Sequence, residues 1–149
     1  MQDRALTVRP MKADEHSQVV ALIIEGLTER WGTYDAAKNL DLAQFPENFT
    51  DSLILVASNG GAPLGVGILR PSNNEESEIV RMSVRRELRR TGIAGKILAE
   101  LLAAAHKNGT KTVRVETTAT WRSAVAFYEK YGFCRTHMHE GDQHFALEL

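Results

Sequence analysis

The sequence predicts a mixed α/β fold, with a mostly antiparallel central sheet flanked by helices, in the order β-α-α-β-β-β-α-β-α-β-β. Three observations predict it. Short runs in which apolar and polar residues alternate recur along the chain, as in half-buried strands. Two longer stretches carry apolar residues at helical spacing. A strand, a glycine-bearing turn and a helix follow one another over residues 78–108. Before and after this unit, pairs of strands are joined by connections short enough for hairpins.

The first half of the chain predicts one strand, two helices and a hairpin. Alternation over residues 6–10 indicates the first strand, and Val19, Val20, Ile23, Ile24 and Leu27 recur on one helix face. A second short helix is expected over residues 36–44, limited by the proline that follows. Residues 52–58 and 64–68 are strands joined by a turn rich in glycine and asparagine.

The return strand of this hairpin contains two glycines, Gly65 and Gly67, between apolar residues. Because glycine has no side chain, one face of the strand is thin there. We expect this thin face to allow the close approach of another backbone.

The second half predicts a βαβ unit and a final hairpin. Residues 78–84 form a central strand, and the helix that begins near Ile93 ends at Asn108-Gly109, where glycine suits the left-handed cap position. A strand over residues 112–118 and a short amphipathic helix that stops at Gly132 follow. The last strands are expected over residues 133–138 and 144–149.

Composition limits the class of protein. The 149 residues, 43% of them hydrophobic and 25% charged, suit a single domain over 1–149 with one core. A net charge of -1 gives no basic excess for nucleic acid, and no apolar run could cross a bilayer. The N-terminus lacks a signal-peptide core, so a cytoplasmic location is expected. Cys134 is the only cysteine and is expected to be a small buried residue.

The turn before the long helix predicts an anion site. Gly92, Ala94 and Gly95 let the backbone approach a ligand, and the free amides and dipole of a helix start favour an anion. Arg89 and Arg90 add positive charge beside the same turn. A pyrophosphate group fits this combination.

Spacing argues against two familiar nucleotide-binding loops. A Walker loop needs four residues between its glycines and then lysine with serine or threonine, whereas Gly92 and Gly95 are separated by two residues and Lys96 is followed by Ile97. The dinucleotide fingerprint needs a third glycine three residues after a Gly-x-Gly pair, and the pair at Gly65 lacks it.

The turn and a second motif resemble the GCN5-related N-acetyltransferase (GNAT) family. The sequence RRTGIA from Arg89 matches the family's acetyl-CoA motif Gln/Arg-x-x-Gly-x-Gly/Ala. The sequence AVAFYEKYGF from Ala124 is similar to its Ala-x-x-Phe/Leu-Tyr-x-Lys-x-Gly-Phe signature, and the order of elements fits along nearly the whole chain. One departure is Trp121, which stands where the family often has an asparagine that binds the pantetheine arm.

The resemblance implies which residues bind acetyl-CoA as the acyl-donor cosubstrate. Backbone groups of Met82, Ser83 and Val84 would pair with the pantetheine arm like an added strand. Amides of the turn would hold the pyrophosphate, with direct contact from Arg89. The residues of this turn are Arg89, Arg90, Thr91, Gly92, Ile93, Ala94 and Gly95.

The resemblance also implies the catalytic groups. Tyr128 matches the family's acid: a phenol with an ordinary pKa of about 10 can protonate a departing thiolate whose thiol has a pKa of about 8.5. Glu78 matches a strand position from which some members remove the proton of the substrate ammonium, and Glu116 on the next strand competes for that role. Trp31, Tyr34 and Asp35 lie in the region where the substrate should bind.

The predicted function is direct transfer of acetyl from acetyl-CoA to a primary amine, with a small molecule favoured because no recognition domain is appended. Protein lysines or N-termini are alternative acceptors, and a non-catalytic acyl-CoA-binding module is the alternative of another class. His137, His139 and His144 fall near the last hairpin, where strand spacing could bring two together, but no carboxylate or cysteine pattern completes a metal site. A homodimer is plausible because exposed sheet edges often pair.

Overall fold

The computed structural model describes residues 5–149 and contains one seven-stranded sheet in the order β1-β2-β3-β4-β5-β7-β6. Neighbouring strands are antiparallel except β4 and β5, which are parallel because a helix connects them. The predicted fold class is confirmed. The strands are β1 Thr7–Pro10, β2 Leu53–Ser58, β3 Gly65–Pro71, β4 Glu76–Val84, β5 Thr112–Thr118, β6 Cys134–His139 and β7 Asp142–Glu148.

Four α-helices cover the two faces of the sheet: α1 His16–Trp31, α2 Leu40–Ala43, α3 Ile93–Lys107 and α4 Arg122–Lys130. Alternation along the strands divides the core in two. Leu55 and Ile79 point to the face covered by α3 and α4. Ile54 and Ile68 point to the face covered by α1 and α2. None of the helices among residues 5–149 is long and apolar enough to span a membrane.

The two glycines of β3 let α3 lie directly on the sheet. A Cβ atom at Gly67 would be 2.8 Å from Ile97 and 3.0 Å from Leu101, and one at Gly65 would be 3.0 Å from Ile97. These distances are shorter than ordinary carbon–carbon contacts of about 3.5–4.0 Å. The expected close approach is therefore confirmed, and it fixes how near the first turn of α3 stands to the end of β4.

A β-bulge interrupts β4. Val66 pairs with Ser83 and Ile68 pairs with Val80, so Arg81 and Met82 together face the single residue between them on β3. Arg81 has a φ of 55°, in the left-handed region that residues other than glycine seldom adopt. The bulge turns the rest of β4 relative to its first half.

The parallel strands β4 and β5 separate beyond the bulge. Their pairing runs from Glu76 with Thr112 to Ile79 with Val115 and then stops, while β5 continues to pair with β7 as far as Thr118. Backbone groups of the second half of β4 therefore have no partner on β5. The gap opens a cleft beside the start of α3.

Two local predictions are corrected by the structure. The helix expected over residues 36–44 is a 3-10 turn at Ala36–Lys38 followed by α2, because Asn39 breaks the helix with a φ of -134°. Cys134 is exposed, not buried, because β6 is an edge strand whose residues are exposed on both faces.

Candidate active site

The cleft between β4 and β5 widens into a cavity of about 1400 Å³. Ligand pockets are usually about 300–1000 Å³, so this cavity has room for an extended ligand together with a second one. One part of its wall comes from the segment between α1 and α2; the cavity-lining residues of this 33–41 wall are Thr33, Tyr34, Asp35, Lys38, Asn39 and Asp41.

One end of the cavity is the glycine-bearing turn. Arg90 and Gly92 have φ values of 65° and 87°, and Gly92 caps the N-terminus of α3. The first intrahelical bond runs from the Lys96 amide to the Gly92 carbonyl at 3.1 Å, so the amides of residues 93–95 have no partner within the helix. No heavy atom lies within 4 Å of a Cβ built on Gly92. The turn fits an anion bound by backbone amides.

Tyr131 packs against the same turn. A Cβ atom at Gly95 would be 2.1 Å from the Tyr131 hydroxyl oxygen, and the Tyr131 ring is 5.0 Å from that of Phe127 on α4. This contact joins the two sequence motifs in space. Sequence reasoning did not find it, because Tyr131 occupies an unspecified position of the second motif.

The arginines of the turn differ in their partners. The Arg89 guanidinium donates to both carboxylate oxygens of Glu29 on α1, with the Nη2–Oε2 pair at 2.5 Å. These hydrogen bonds are the main cause of the lowered pKa of Glu29. Arg90 is exposed, and the Thr91 hydroxyl donates to the Leu88 carbonyl within the loop. Arg89 must share or leave Glu29 in order to bind a phosphate.

The second half of β4 presents its backbone to the cleft. The Ser83 hydroxyl donates to the Leu22 carbonyl of α1 at 3.3 Å, and a Cβ atom at Gly26 would be 2.7 Å from that hydroxyl oxygen. The side chain of Ser83 therefore faces α1, while Met82 and Val84 pack toward α3. All three residues line the cavity.

Tyr128 lies in the cavity wall and is almost fully buried. Its ring meets those of Phe133 and Phe145, with centroids 5.6 Å and 6.0 Å away. Burial raises the pKa of the Tyr128 phenol well above its ordinary value, and the positive charge of Arg30 opposes that shift. The phenol is therefore protonated across the physiological pH range.

The two candidate bases lie in different surroundings. Glu78 accepts a hydrogen bond from Arg70 and does not contribute to the cavity wall. Glu116 lines the cavity, and its Oε2 atom is 3.0 Å from Nε2 of His144, although the pair lacks the alignment of a hydrogen bond. Of the two carboxylates, only Glu116 faces the cavity.

The final hairpin brings two of the three expected histidines together. The His144 ring stacks on His137 with centroids 4.3 Å apart, and the His139 ring is 6.3 Å from that of His144. Among residues 5–149 no three histidine, cysteine or carboxylate side chains are grouped so that they could hold a metal ion.

Trp31, Tyr34 and Asp35 all line the cavity. The Trp31 ring meets Trp121 of the α4 N-terminus at 5.2 Å, and the Arg30 guanidinium lies 4.8 Å from the Trp121 ring. Trp121 thus joins α4 to the end of α1.

Two cavity-lining residues, Arg81 and Asp41, were missed by sequence reasoning. The Arg81 guanidinium donates to Asp41 through Nε at 2.8 Å and through Nη2 at 2.5 Å. In the sequence Arg81 is an ordinary polar residue of an alternating strand, and no local signal shows the bulge that turns it toward Asp41.

Comparison with known proteins supports what the fold and site indicate. A model of the acetyltransferase (GNAT) family matches residues 17–133, which is more than half of the chain. A GNAT-family acetyltransferase from Staphylococcus aureus Mu50 is 18% identical, with a TM-score of 0.84 over 97% of this chain and 99% of that one. The PaiA N-acetyltransferase from Thermoplasma acidophilum, solved in complex with coenzyme A, is 16% identical, with a TM-score of 0.85 over 97% and 99%.

A GNAT-family acetyltransferase from Elizabethkingia anophelis with acetyl-CoA bound is 18% identical, with a TM-score of 0.70 over 97% of this chain and 98% of that one. A search of curated sequences finds no significant match. The fold and the split sheet define an acetyltransferase-like protein. By its family match, the chain belongs to the acetyltransferase (GNAT) family, and the resemblance identified from the two motifs is confirmed.

Proposed function

We propose that the protein transfers the acetyl group of acetyl-CoA directly to a primary amine of a small molecule. The observation that carries the proposal is the continuity of one cavity, which joins the amide-bearing turn at Gly92, the open backbone of β4 and the buried phenol of Tyr128. Such a path suits a long donor whose anionic end and reactive end bind far apart.

The residues at the turn and at β4 fit acetyl-CoA, which supplies an activated thioester. Amides of residues 93–95 would hold the pyrophosphate, and Arg90 is exposed beside them. The backbone of Met82, Ser83 and Val84 has no partner on β5, and on that side it would bind the pantetheine amides in the manner of a strand. An amide near Ser83 would stabilise negative charge on the carbonyl oxygen.

Direct transfer is favoured because neither the one cysteine of the chain nor the Ser83 hydroxyl is available to the cavity as a covalent nucleophile. The one cysteine, Cys134, lies on β6 outside the cavity wall. The Ser83 hydroxyl is bonded to the Leu22 carbonyl and faces α1. The amine itself would attack the thioester carbonyl.

Tyr128 is proposed as the acid that gives its phenolic proton to the departing sulfur. Its raised pKa keeps that proton in place but makes the phenolate costly, and the positive charge of Arg30 offsets part of the cost. Tyr128→Phe should lower kcat by about 10²–10⁴. The Kd of this variant for acetyl-CoA should stay within a few-fold of the wild-type value. In the wild type, kcat/KM should not fall through ionisation of Tyr128 below pH 10. An unchanged kcat at every pH would contradict the acid role.

Glu116 is proposed as the base, acting directly or through water, because it lines the cavity whereas Glu78 does not and is hydrogen-bonded to Arg70. Glu116→Gln should lower kcat/KM by about 10²-fold or more. Glu78→Gln is the matched variant and should lower it less than threefold. The reverse order would assign the base to Glu78, the first candidate from sequence.

The contact between Trp31 and Trp121 joins two cavity walls and favours an enclosed acceptor site over a groove for a protein chain. Thiol release should be measured with acetyl-CoA and tyramine, tryptamine, putrescine, L-lysine and a hexapeptide with a free N-terminus and one lysine. We expect at least one small amine to exceed the hexapeptide tenfold in kcat/KM. Preference for the hexapeptide would indicate a protein acceptor. Binding of acetyl-CoA without turnover of any acceptor would indicate a binding module.

The cytoplasmic location and the homodimer stay predictions. The sheet offers two edge strands for pairing, β1 and β6. Light scattering of the purified protein would measure the oligomeric state.

A further inference from the structure

Arg81 combines an unusual backbone conformation with a specific set of partners. It has a φ of 55° within the bulge of β4. A left-handed conformation is sterically unfavourable for a residue other than glycine, so surrounding contacts must hold Arg81 there. Its guanidinium makes three hydrogen bonds, two to Asp41 and one from Nη2 to the Asn39 side-chain oxygen at 3.1 Å.

The partners of Arg81 belong to the 33–41 wall. Asn39 in turn donates through Nδ2 to the Asp35 carbonyl at 2.7 Å, and the Asp35 carboxylate accepts from the Ala37 amide at 3.0 Å. These bonds form a continuous network from the bulge to the part of the wall that holds Tyr34 and Asp35. One guanidinium therefore fixes several cavity-lining residues.

The pair of Arg81 and Asp41 is better shielded than a comparable pair on the same sheet. Its side chains are 20% and 27% exposed, whereas those of Arg114 and Glu76, which also form two hydrogen bonds, are 45% and 30% exposed. Exposed ion pairs contribute little to stability, and shielding together with two-point geometry makes such a pair more effective. Arg114 and Glu76 lie outside the cavity wall and provide a matched control.

We infer that Arg81 is a positioning residue that fastens the 33–41 wall to the β4 bulge and so sets how the acceptor amine meets the acetyl group. The inference rests on the proposed function for its kinetic consequence. The bulge begins the stretch of β4 that presents its backbone to the cleft, so the same residue links the donor side and the acceptor side of the cavity. The glycine-bearing turn at residues 89–95 takes no part in this network of hydrogen bonds.

The kinetic test compares Arg81→Gln, Asp41→Asn and the double variant with Arg114→Gln. The acceptor is the small amine with the highest kcat/KM among tyramine, tryptamine, putrescine and L-lysine. We expect KM for that amine to rise about tenfold in each single variant, which corresponds to about 1.4 kcal/mol. The double variant should add little more, because both changes break the same link. The Kd of acetyl-CoA should stay within twofold, and Arg114→Gln should match wild type.

Arg81→Gly separates the guanidinium from the backbone. Glycine adopts a positive φ without a steric cost, so this variant keeps the bulge and loses only the side-chain bonds. It should raise the acceptor KM as much as Arg81→Gln does. An acceptor KM within twofold of wild type in Arg81→Gln and Arg81→Gly would overturn the inference, and so would equal losses in acceptor and acetyl-CoA binding.

Hydrogen exchange of the ligand-free protein tests the same link without turnover. Amides of residues 36–43 should exchange at least fivefold faster in Arg81→Gln than in wild type, while those of β2 and α3 are unchanged. Unchanged exchange over residues 36–43 would overturn the inference even in an active enzyme. If wild type acetylates no amine, the proposed function fails, and this measurement still decides whether Arg81 holds the wall.

Discussion

Gly67→Ala tests whether the closeness of α3 to the sheet controls both stability and donor binding. The added Cβ would be 2.8 Å from Ile97, 3.0 Å from Leu101 and 3.1 Å from Met82. Ile97 and Leu101 are fully buried and cannot move into free space. Overpacking of this kind costs about 1–3 kcal/mol.

Part of that cost is offset, because alanine in a strand is favoured over glycine by about 0.5–1 kcal/mol. The free energy of unfolding should therefore fall by about 0.5–2 kcal/mol, which lowers Tm by a few degrees in a chain of this length. Because Ile97 lies in the second turn of α3, relief of the clash should move the helix start. We therefore expect the Kd of acetyl-CoA to rise several-fold.

Urea unfolding and acetyl-CoA titration measure the two effects. Gly61→Ala is the control, because no heavy atom lies within 4 Å of its Cβ position and its backbone has no positive φ. It should keep wild-type stability and affinity. If Gly67→Ala is as stable as Gly61→Ala, the overpacking argument is refuted. If Gly67→Ala is less stable but binds acetyl-CoA normally, the link between helix seating and the turn is refuted.

Two further predictions concern backbone conformation and pH. Gly92→Ala and Gly109→Ala both place alanine at a positive φ with no atom within 4 Å, at opposite ends of α3. In each variant the free energy of unfolding should fall by about 1–2 kcal/mol, measured by thermal unfolding. Only Gly92→Ala should weaken acetyl-CoA binding, by about tenfold. Equal affinities of the two variants for acetyl-CoA would show that the turn is not part of the donor site. The hydrogen bonds from Arg9 lower the pKa of buried Glu15 to about 2, so this carboxylate stabilises the fold above the unfolded pKa near 4.5, and the contribution is lost as pH falls toward 2. Between pH 6 and pH 3 the Tm of Arg9→Gln should fall less than that of wild type, and equal falls would contradict the role of this pair.

Much of the fold was predictable because it depends on local patterns. Alternation and helical spacing placed every strand and long helix, and the paired glycines of β3 indicated a thin face, which the structure shows α3 to occupy. The error at residues 36–44 arose because the side chain of Asn39 bonds to the Asp35 carbonyl and its backbone leaves the helical region. Periodicity does not report such a break.

The site was only partly predictable. The residues of the turn and of β4 were expected near the donor, and all of them except Thr91 line one cavity. The sequence favoured Glu78 over Glu116 as the base, because Glu78 matches the strand position that some members of the family use. The partner of Glu78, Arg70, and the separation of β4 from β5 distinguish them, and both depend on pairing between strands.

The sequence by itself determined the family, the order of elements and the glycine-bearing turn before α3, because these depend on residues close together along the chain. Only the tertiary structure decided the contacts that cross the cavity. Glu29 meets Arg89, Trp31 meets Trp121, and Tyr131 meets Gly95 from separate elements. The bulge that turns Arg81 toward Asp41 also forms only when β4 pairs with β3. The physical reason is that side-chain partners distant in sequence are chosen by packing and strand register, which no local pattern encodes.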